Sequence, residues 1–218
     1  MSSASTQVLY AACGVLVLSG IGVVWRRELS ALVHLLALQG AALALIAAVQ
    51  AAHTASVELA VIAVVVATVK AVILPRALRR VLVHDDQPRE AAPLVNVTAS
   101  LLAAGALTLA AYAAARPLVD LNPTPAGQAA SAALAVVLIG FFALVTRRRA
   151  LSQIVAVLMV DNGIAALAFL IAAGVPLIVE LGVTADVLLA VLVLQVLTAR
   201  MHTHLGGTDL DDLRELHD

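Results

Sequence analysis

The sequence predicts an all-α integral membrane protein with seven transmembrane helices. Of its 218 residues, 62% are hydrophobic and only 12% are charged, which is about half the charged share of a soluble domain. Charged and turn-forming residues divide the chain into apolar runs of roughly 17–25 residues, the length of a helix that crosses a bilayer. A soluble fold would need a polar surface that this composition cannot supply.

The predicted spans follow these apolar runs in chain order. They cover residues 7–25, 30–50, 56–75, 93–115, 128–146, 150–172 and 176–199. We expect a polar turn around His53-Thr54 and a proline-rich loop from Arg116 to Gln128. The first run ends in Arg26-Arg27 rather than in a cleavage site, which indicates a retained span and not a signal peptide.

The arginines predict the orientation of the chain. If the N-terminus lies outside, eleven of the twelve arginines fall on the cytoplasmic side and only Arg116 falls on the other. Basic residues concentrate in cytoplasmic loops of membrane proteins. The expected topology is therefore N-out and C-in.

Two segments of the chain resemble each other at a fixed offset. The stretch RRELSALVHLLALQGAALALIAA begins at Arg26 and matches RRALSQIVAVLMVDNGIAALAFLIAA from Arg148, an offset of 148 − 26 = 122. Spans 1–3 then correspond to spans 5–7 in a parallel repeat, and span 4 joins them. The alternative is that Ala/Val/Leu-rich segments align by composition alone.

The repeat divides the chain into four parts. Residues 1–92 hold the first three-helix unit with a cytoplasmic extension, 93–127 the connecting helix and an external loop, 128–205 the second unit, and 206–218 a cytoplasmic tail. The units differ in their ionisable groups. Gln39 of the first unit stands where the second unit has Asp161, and the second unit has apolar residues at the positions that match Lys70 and His34.

Ionisable residues inside the predicted spans are the candidate functional residues. They are Asp161 and Asp186 near mid-membrane, Glu58 and Glu180 nearer the outer surface, and Lys70 and His34 in the inner half, with Gln39 as the neutral counterpart of Asp161. A charge at the centre of a lipid-facing helix costs at least ~2.5 kcal/mol, so such residues commonly face protein or water and serve in proton or ion relays. Desolvation favours the neutral form of a carboxylic acid, which allows proton exchange near neutral pH.

Each candidate also has a structural interpretation. Asp161 and Asp186 would then only hydrogen-bond helices together. Glu58 and Glu180 would reach the headgroups, Lys70 would snorkel inward towards Arg76, and His34 would be an interfacial histidine.

Composition limits other chemistry. Cys13 is the only cysteine and the histidines are scattered, so we expect no metal and no cofactor bound by this chain. The net charge of −1 and the lack of a basic cluster with aromatic residues argue against nucleic acid.

Several of these segments resemble one family of membrane proteins. The stretch Arg148 to Ala173, with Met159-Val160-Asp161-Asn162-Gly163, and the run beginning at Asp186 are similar to the K component of respiratory complex I and the C component of multisubunit sodium/proton antiporters. The duplicated seven-span form, with Pro-Leu-Ile-Val-Glu-Leu-Gly at 176–182, resembles hydrogenase-4 component E of group 4 nickel–iron hydrogenase and formate hydrogenlyase-type complexes.

The resemblance implies a function that the residues alone do not. It implies a non-catalytic subunit of a bacterial inner-membrane, complex I-related redox complex, with Asp161 and Asp186 at the positions of family glutamates in a lateral proton path. Nickel–iron and iron–sulfur centres are expected on partner subunits, beside antiporter-like, quinone-site-subunit-like and peripheral hydrogenase-like chains. The alternatives are an accessory subunit of a cation/proton antiporter and a purely structural membrane scaffold.

Overall fold

The protein is built from long apolar helices. The computed structural model describes residues 2–82, 95–121 and 123–171. Over these ranges the elements are α1 (Ser3–Trp25), α2 (Leu29–Thr54), α3 (Val57–Val66), a π-helical segment (Ala67–Ile73), α4 (Leu74–Leu82), α5 (Val97–Leu121), α6 (Pro125–Thr146) and α7 (Ala150–Ile171). Regular structure in this part of the chain is almost entirely helical, as the sequence predicts.

Six helical stretches are long and apolar enough to cross a bilayer. They are Ser3–Trp25, Leu29–Thr54, Val57–Arg80, Val97–Leu121, Pro125–Thr146 and Leu151–Ile171, and they correspond to the first six predicted spans. The third stretch joins α3, the π segment and most of α4 into one helix. The predicted seventh span, 176–199, lies outside the described residues. The multi-pass membrane character of the chain is therefore supported by these six helices.

Local side chains determine where several helices begin. The hydroxyls of Ser2, Ser56 and Thr124 accept hydrogen bonds from the backbone N–H three residues ahead, at the starts of α1, α3 and α6. Such capping satisfies an N–H group that has no partner within the helix. At the end of α2, Ala55 adopts a left-handed backbone conformation with φ of 51°, and this reverses the chain within two residues.

Two predicted boundaries are wrong. The proline-rich stretch from 116 to 128 is not one loop, because α5 continues to Leu121 with Pro117 inside it and α6 begins at Pro125. Proline is favoured at the first position of a helix, where its missing N–H would have no helical partner. Similarly, α2 extends through His53 and Thr54, because polar residues can continue a membrane helix beyond the hydrocarbon core.

The helices pack around a four-helix centre. Each helix of this centre contacts two others, so that the contacts run in a ring from α1 to α2, α7, α6 and back to α1. The stretch from α3 to α4 lies against α2, and α5 lies against α6 and α1. Only 17% of the most apolar part of α5 is buried, against 61% for α6 and α7, so α5 presents most of its surface outward.

Glycines allow a close helix contact between α6 and α7. A Cβ at Gly140 would lie 2.6 Å from a methyl carbon of Val160, and a Cβ at Gly163 would lie 2.7 Å from a methyl carbon of Val137. Small residues at interfaces let membrane helices approach closely and gain van der Waals contact. This contact holds α7, and with it Asp161, firmly in the bundle.

Candidate functional site

A buried ion pair lies at the contact between the two predicted repeat units. The Nζ atom of Lys70 donates a hydrogen bond to Oδ2 of Asp161 at 2.8 Å. The side chain of Lys70 is 3% exposed and that of Asp161 is 13% exposed. The structure therefore brings together two of the residues singled out from the sequence, 91 positions apart in the chain. Lys70 does not snorkel towards Arg76, so that interpretation was wrong.

The π-helical segment determines where Lys70 lies. Residues Ala67–Ile73 form i→i+5 hydrogen bonds within an otherwise α-helical span, and Leu74 continues that pattern by donating to the carbonyl of Val69. A π segment accommodates an extra residue in a helical turn, and such segments are frequent at functional sites. It rotates the residues that follow relative to a regular α-helix, and Lys70 is its one fully buried residue.

Gly40 allows the backbone of the π segment to touch α2. A Cβ at Gly40 would lie 2.6 Å from both the carbonyl carbon and the carbonyl oxygen of Lys70. These are backbone atoms, so no side-chain rotation could relieve the overlap. Only glycine fits at this contact, which keeps Lys70 close enough to α2 for its side chain to reach Asp161 on α7.

Amide side chains continue the polar cluster towards α1. Gln39 is completely buried, and its Nε2 donates to the carbonyl of Leu16 at 3.4 Å. Its Oε1 accepts a hydrogen bond from Nδ2 of Asn162 at 3.5 Å. Gln39 and Asp161 are the two positions that the offset of 122 pairs. We define the polar cluster as Gln39, Lys70, Asp161 and Asn162, carried by α2, the π segment and α7.

The electrostatics of this pair favour a functional role over a stabilising one. Removing two charges from water costs several kcal/mol per ion, and their attraction repays this only with good geometry and further hydrogen bonds. An apolar pair of similar volume would hold helices together as well or better. Lys70 is also the only lysine in the chain. A buried ion pair in a membrane helix bundle is therefore a candidate proton or ion site.

Of the other predicted residues, His34 and Glu58 lie in the described part of the chain, and neither joins the cluster. His34 is exposed, and its Nδ1 donates to the carbonyl of Ser30 one turn earlier in α2. Glu58 is exposed in the first turn of α3, where the helix dipole favours an acid. Glu180 and Asp186 lie outside the described residues.

Arg147 is a structural residue that sequence reasoning missed. It is 5% exposed, and its Nη2 donates to the carbonyls of Val23, Val24 and Arg26. Those carbonyls end α1 or follow it, and the last carbonyls of a helix have no partner within it. Nothing in the run Arg147-Arg148-Arg149 distinguishes this arginine from its neighbours, because the α1 end that selects it is more than 120 residues away.

No metal centre is formed by the described part of the chain. Among residues 2–82, 95–121 and 123–171, no three His, Cys, Asp or Glu side chains lie close enough to hold an ion. The cluster offers one carboxylate, one ammonium group and two amides. Groups of these types can form hydrogen bonds and exchange protons.

One similar protein covers the whole chain. The chain is 48% identical over 220 residues to "Uncharacterized protein Rv0085" of Mycobacterium tuberculosis, a match that includes 100% of both chains. The chain belongs to the Rv0085 family. Every described helix lies within the length matched to Rv0085, and so does the polar cluster. No protein-family model and no solved structure matches the chain.

Proposed function

We propose that the chain is a membrane-arm subunit of a proton-translocating, hydrogenase-like redox complex related to complex I. In this role it contributes intramembrane carboxylates to a lateral proton path and binds no redox centre itself. The nickel–iron and iron–sulfur centres belong to partner subunits. The resemblance of the duplicated seven-span form, with Pro-Leu-Ile-Val-Glu-Leu-Gly at 176–182, to hydrogenase-4 component E motivates the class of complex.

The observation that supports a proton path is the buried pair of Lys70 and Asp161. Transfer of one proton from Nζ to Oδ2 along their hydrogen bond converts the ion pair into a neutral amine and a carboxylic acid. No heavy atom has to move, because the two atoms are already 2.8 Å apart. In a low-dielectric interior the neutral form avoids the desolvation cost of both charges. A pair with two such forms can pass protons to and from neighbouring groups.

The proposed topology completes this path. It has a seventh span at 176–199, an N-out and C-in orientation, and a parallel repeat of spans 1–3 in spans 5–7. Asp186 and Glu180 on the seventh span then supply further carboxylates. The membrane is the bacterial cytoplasmic membrane, and the neighbours are antiporter-like, quinone-site-subunit-like and peripheral hydrogenase-like subunits.

Purification from the native membrane tests membership of the complex. An affinity tag on this chain, extraction in a mild detergent and mass spectrometry of the copurifying proteins are expected to recover hydrogenase-like and antiporter-like subunits together. Recovery of antiporter subunits without any redox subunit would favour the antiporter alternative. Recovery of the chain alone would contradict both proposals.

Substitution of Asp161 tests the proton path. Asp161→Asn keeps an oxygen acceptor for Lys70 and is expected to lower the proton uptake that accompanies electron transfer in inverted membrane vesicles, measured per assembled complex. The matched control is Glu28→Gln, which changes a carboxylate to an amide at the exposed start of α2, where Glu28 accepts a hydrogen bond from Ser30. Unchanged proton uptake in Asp161→Asn would overturn the proposal.

A scaffold function has one observation in its favour. The pair of Lys70 and Asp161 connects α7 to the π segment, both of which pack against α2, and so it also holds the bundle together. The double variant Lys70→Met with Asp161→Leu separates the two functions, because an apolar pair can replace a buried ion pair without loss of stability. An assembled complex that translocates protons normally with this apolar pair would favour the scaffold.

A further inference from the structure

A groove opens between the end of α5 and the beginning of α6. It encloses about 440 Å³, which is within the usual range of small-ligand sites. Its apolar wall is formed by Leu109, Ala113 and Val119 of α5. The groove lies at the opposite end of α5 and α6 from Arg147, and it is separate from the polar cluster.

Pro117 leaves a hydrogen-bond acceptor in the wall of this groove. Proline has no backbone N–H, so the carbonyl four residues earlier, that of Ala113, has no α-helical donor. A freed carbonyl in a membrane helix is costly unless another group satisfies it. Ala113 lines the groove, so a ligand there is placed to supply the missing donor.

Three polar side chains of the groove have no partner. Over residues 2–82, 95–121 and 123–171, neither Arg116 nor Asp120 makes a hydrogen bond or an ion pair, and the hydroxyl of Ser131 makes none. Ser131 also lines the groove. Its hydroxyl can therefore donate or accept a hydrogen bond with a ligand bound there.

Gln128 adds an oriented donor. Its Oε1 accepts a hydrogen bond from the hydroxyl of Tyr10 at 2.9 Å, and this leaves its amide N–H₂ group as a donor beside the groove. Tyr112 also lines the groove, and tyrosine is typical of the boundary between hydrocarbon and headgroups.

The position of the charges matches the interface of a bilayer. Arg116 lies five residues before the end of α5 at Leu121, about 8 Å at 1.5 Å per residue. Asp120 is one helical turn further towards the end of α5, so a cation and an anion lie four residues apart near the end of a span without forming an ion pair. Below them the wall is apolar, as an acyl chain requires.

We propose that this groove binds a phospholipid whose headgroup carries a primary amine, of the phosphatidylethanolamine class. The guanidinium of Arg116 binds the phosphate, for which its planar set of donors is well suited. The carboxylate of Asp120 accepts hydrogen bonds from the ammonium group. The amine also supplies N–H donors that a quaternary choline lacks, and an uncharged glycerol headgroup leaves Asp120 without a cation.

Native mass spectrometry of the purified full-length chain with defined lipids tests the site. Phosphatidylethanolamine is expected to bind about tenfold more tightly than phosphatidylcholine of the same acyl chains, which corresponds to one charge-assisted hydrogen bond. Phosphatidylglycerol is expected to bind more weakly than phosphatidylethanolamine. Equal retention of the three lipids would overturn the proposal, because it would indicate non-selective binding to the apolar surface.

Two variants separate the roles of the charges. Asp120→Asn is expected to reduce phosphatidylethanolamine binding to the level of phosphatidylcholine, and Arg116→Gln to weaken all three lipids. The matched controls Glu28→Gln and Arg79→Gln alter exposed charges away from the groove and are expected to change nothing. Lipid selectivity that survives Asp120→Asn would contradict the site. The measurement needs no partner subunit, so its result is independent of the proposed redox complex.

Discussion

Two close helix contacts in this protein use glycine in different ways. Between α6 and α7, Gly140 and Gly163 admit methyl and backbone atoms of Val160 and Val137, and the carbonyl oxygen of Ala133 also lies close to Gly163. Between α2 and the π segment, Gly40 admits the backbone of Lys70 itself. The first contact only packs the helices, whereas the second also positions a charged side chain next to Asp161.

The difference shows how an ion pair is maintained inside an apolar bundle. Lys70 cannot move towards the aqueous boundary while its backbone is held against Gly40, and Asp161 cannot move while α7 is held against α6. Each partner is fixed by a packing contact that does not depend on its charge.

The largest expected effect is the removal of one charge from the pair. Lys70→Met should lower the free energy of unfolding by about 3–5 kcal/mol, because it leaves Asp161 without its buried partner. Lys70→Met combined with Asp161→Leu should recover most of that loss. Reversible unfolding in mixed micelles measures both. If the double variant is no more stable than the single one, the two residues are not coupled.

A smaller loss of stability is expected for Arg147, whose guanidinium connects the end of α6 to the end of α1. Arg147→Gln should lower the free energy of unfolding by about 2–3 kcal/mol, because hydrogen bonds to the last carbonyls of α1 are lost. The same measurement applies, with Arg79→Gln as an exposed control. A loss no greater than that of the control would show that water satisfies these carbonyls equally well.

Glycine substitutions compare the two contacts directly. Gly40→Ala and Gly140→Ala should each cost about 1–3 kcal/mol of stability through overpacking. Only Gly40→Ala should also break the ion pair, because it displaces the backbone of Lys70. The ¹⁵N chemical shift of the Lys70 ammonium group, observed by NMR in lipid nanodiscs, reports the pair. An unchanged shift in Gly40→Ala, or an equal change in Gly140→Ala, would contradict the comparison.

The smallest effects are expected outside both contacts. His34→Ala and Glu58→Gln should each change the free energy of unfolding by less than about 0.5 kcal/mol, as for other exposed substitutions. Both side chains are exposed, and neither contacts Lys70 or Asp161. A loss above about 1 kcal/mol for His34→Ala would show that it has a partner in the assembly.

The fold class and six of the membrane helices could be predicted because they depend on composition and run length. Helix ends were predicted less well: Pro117 and Thr54 continue helices that polar and turn-forming residues were expected to end. The candidate list contained both members of the ion pair, since a charge in an apolar run is visible in one dimension. It did not contain Gly40 or Arg147, whose roles depend on atoms of distant helices.

The sequence by itself determined that this chain is a helical, multi-pass protein, because apolar length and the cost of unpaired backbone groups in a bilayer allow little else. It also indicated Lys70 and Asp161 among the ionisable groups that would need partners. Only the tertiary structure decided that Lys70 pairs with Asp161, through a π-helical segment and a glycine contact. The physical reason is that a charge within an apolar run is visible in the sequence around it. Its partner depends on contacts between distant helices, which no short stretch of sequence encodes.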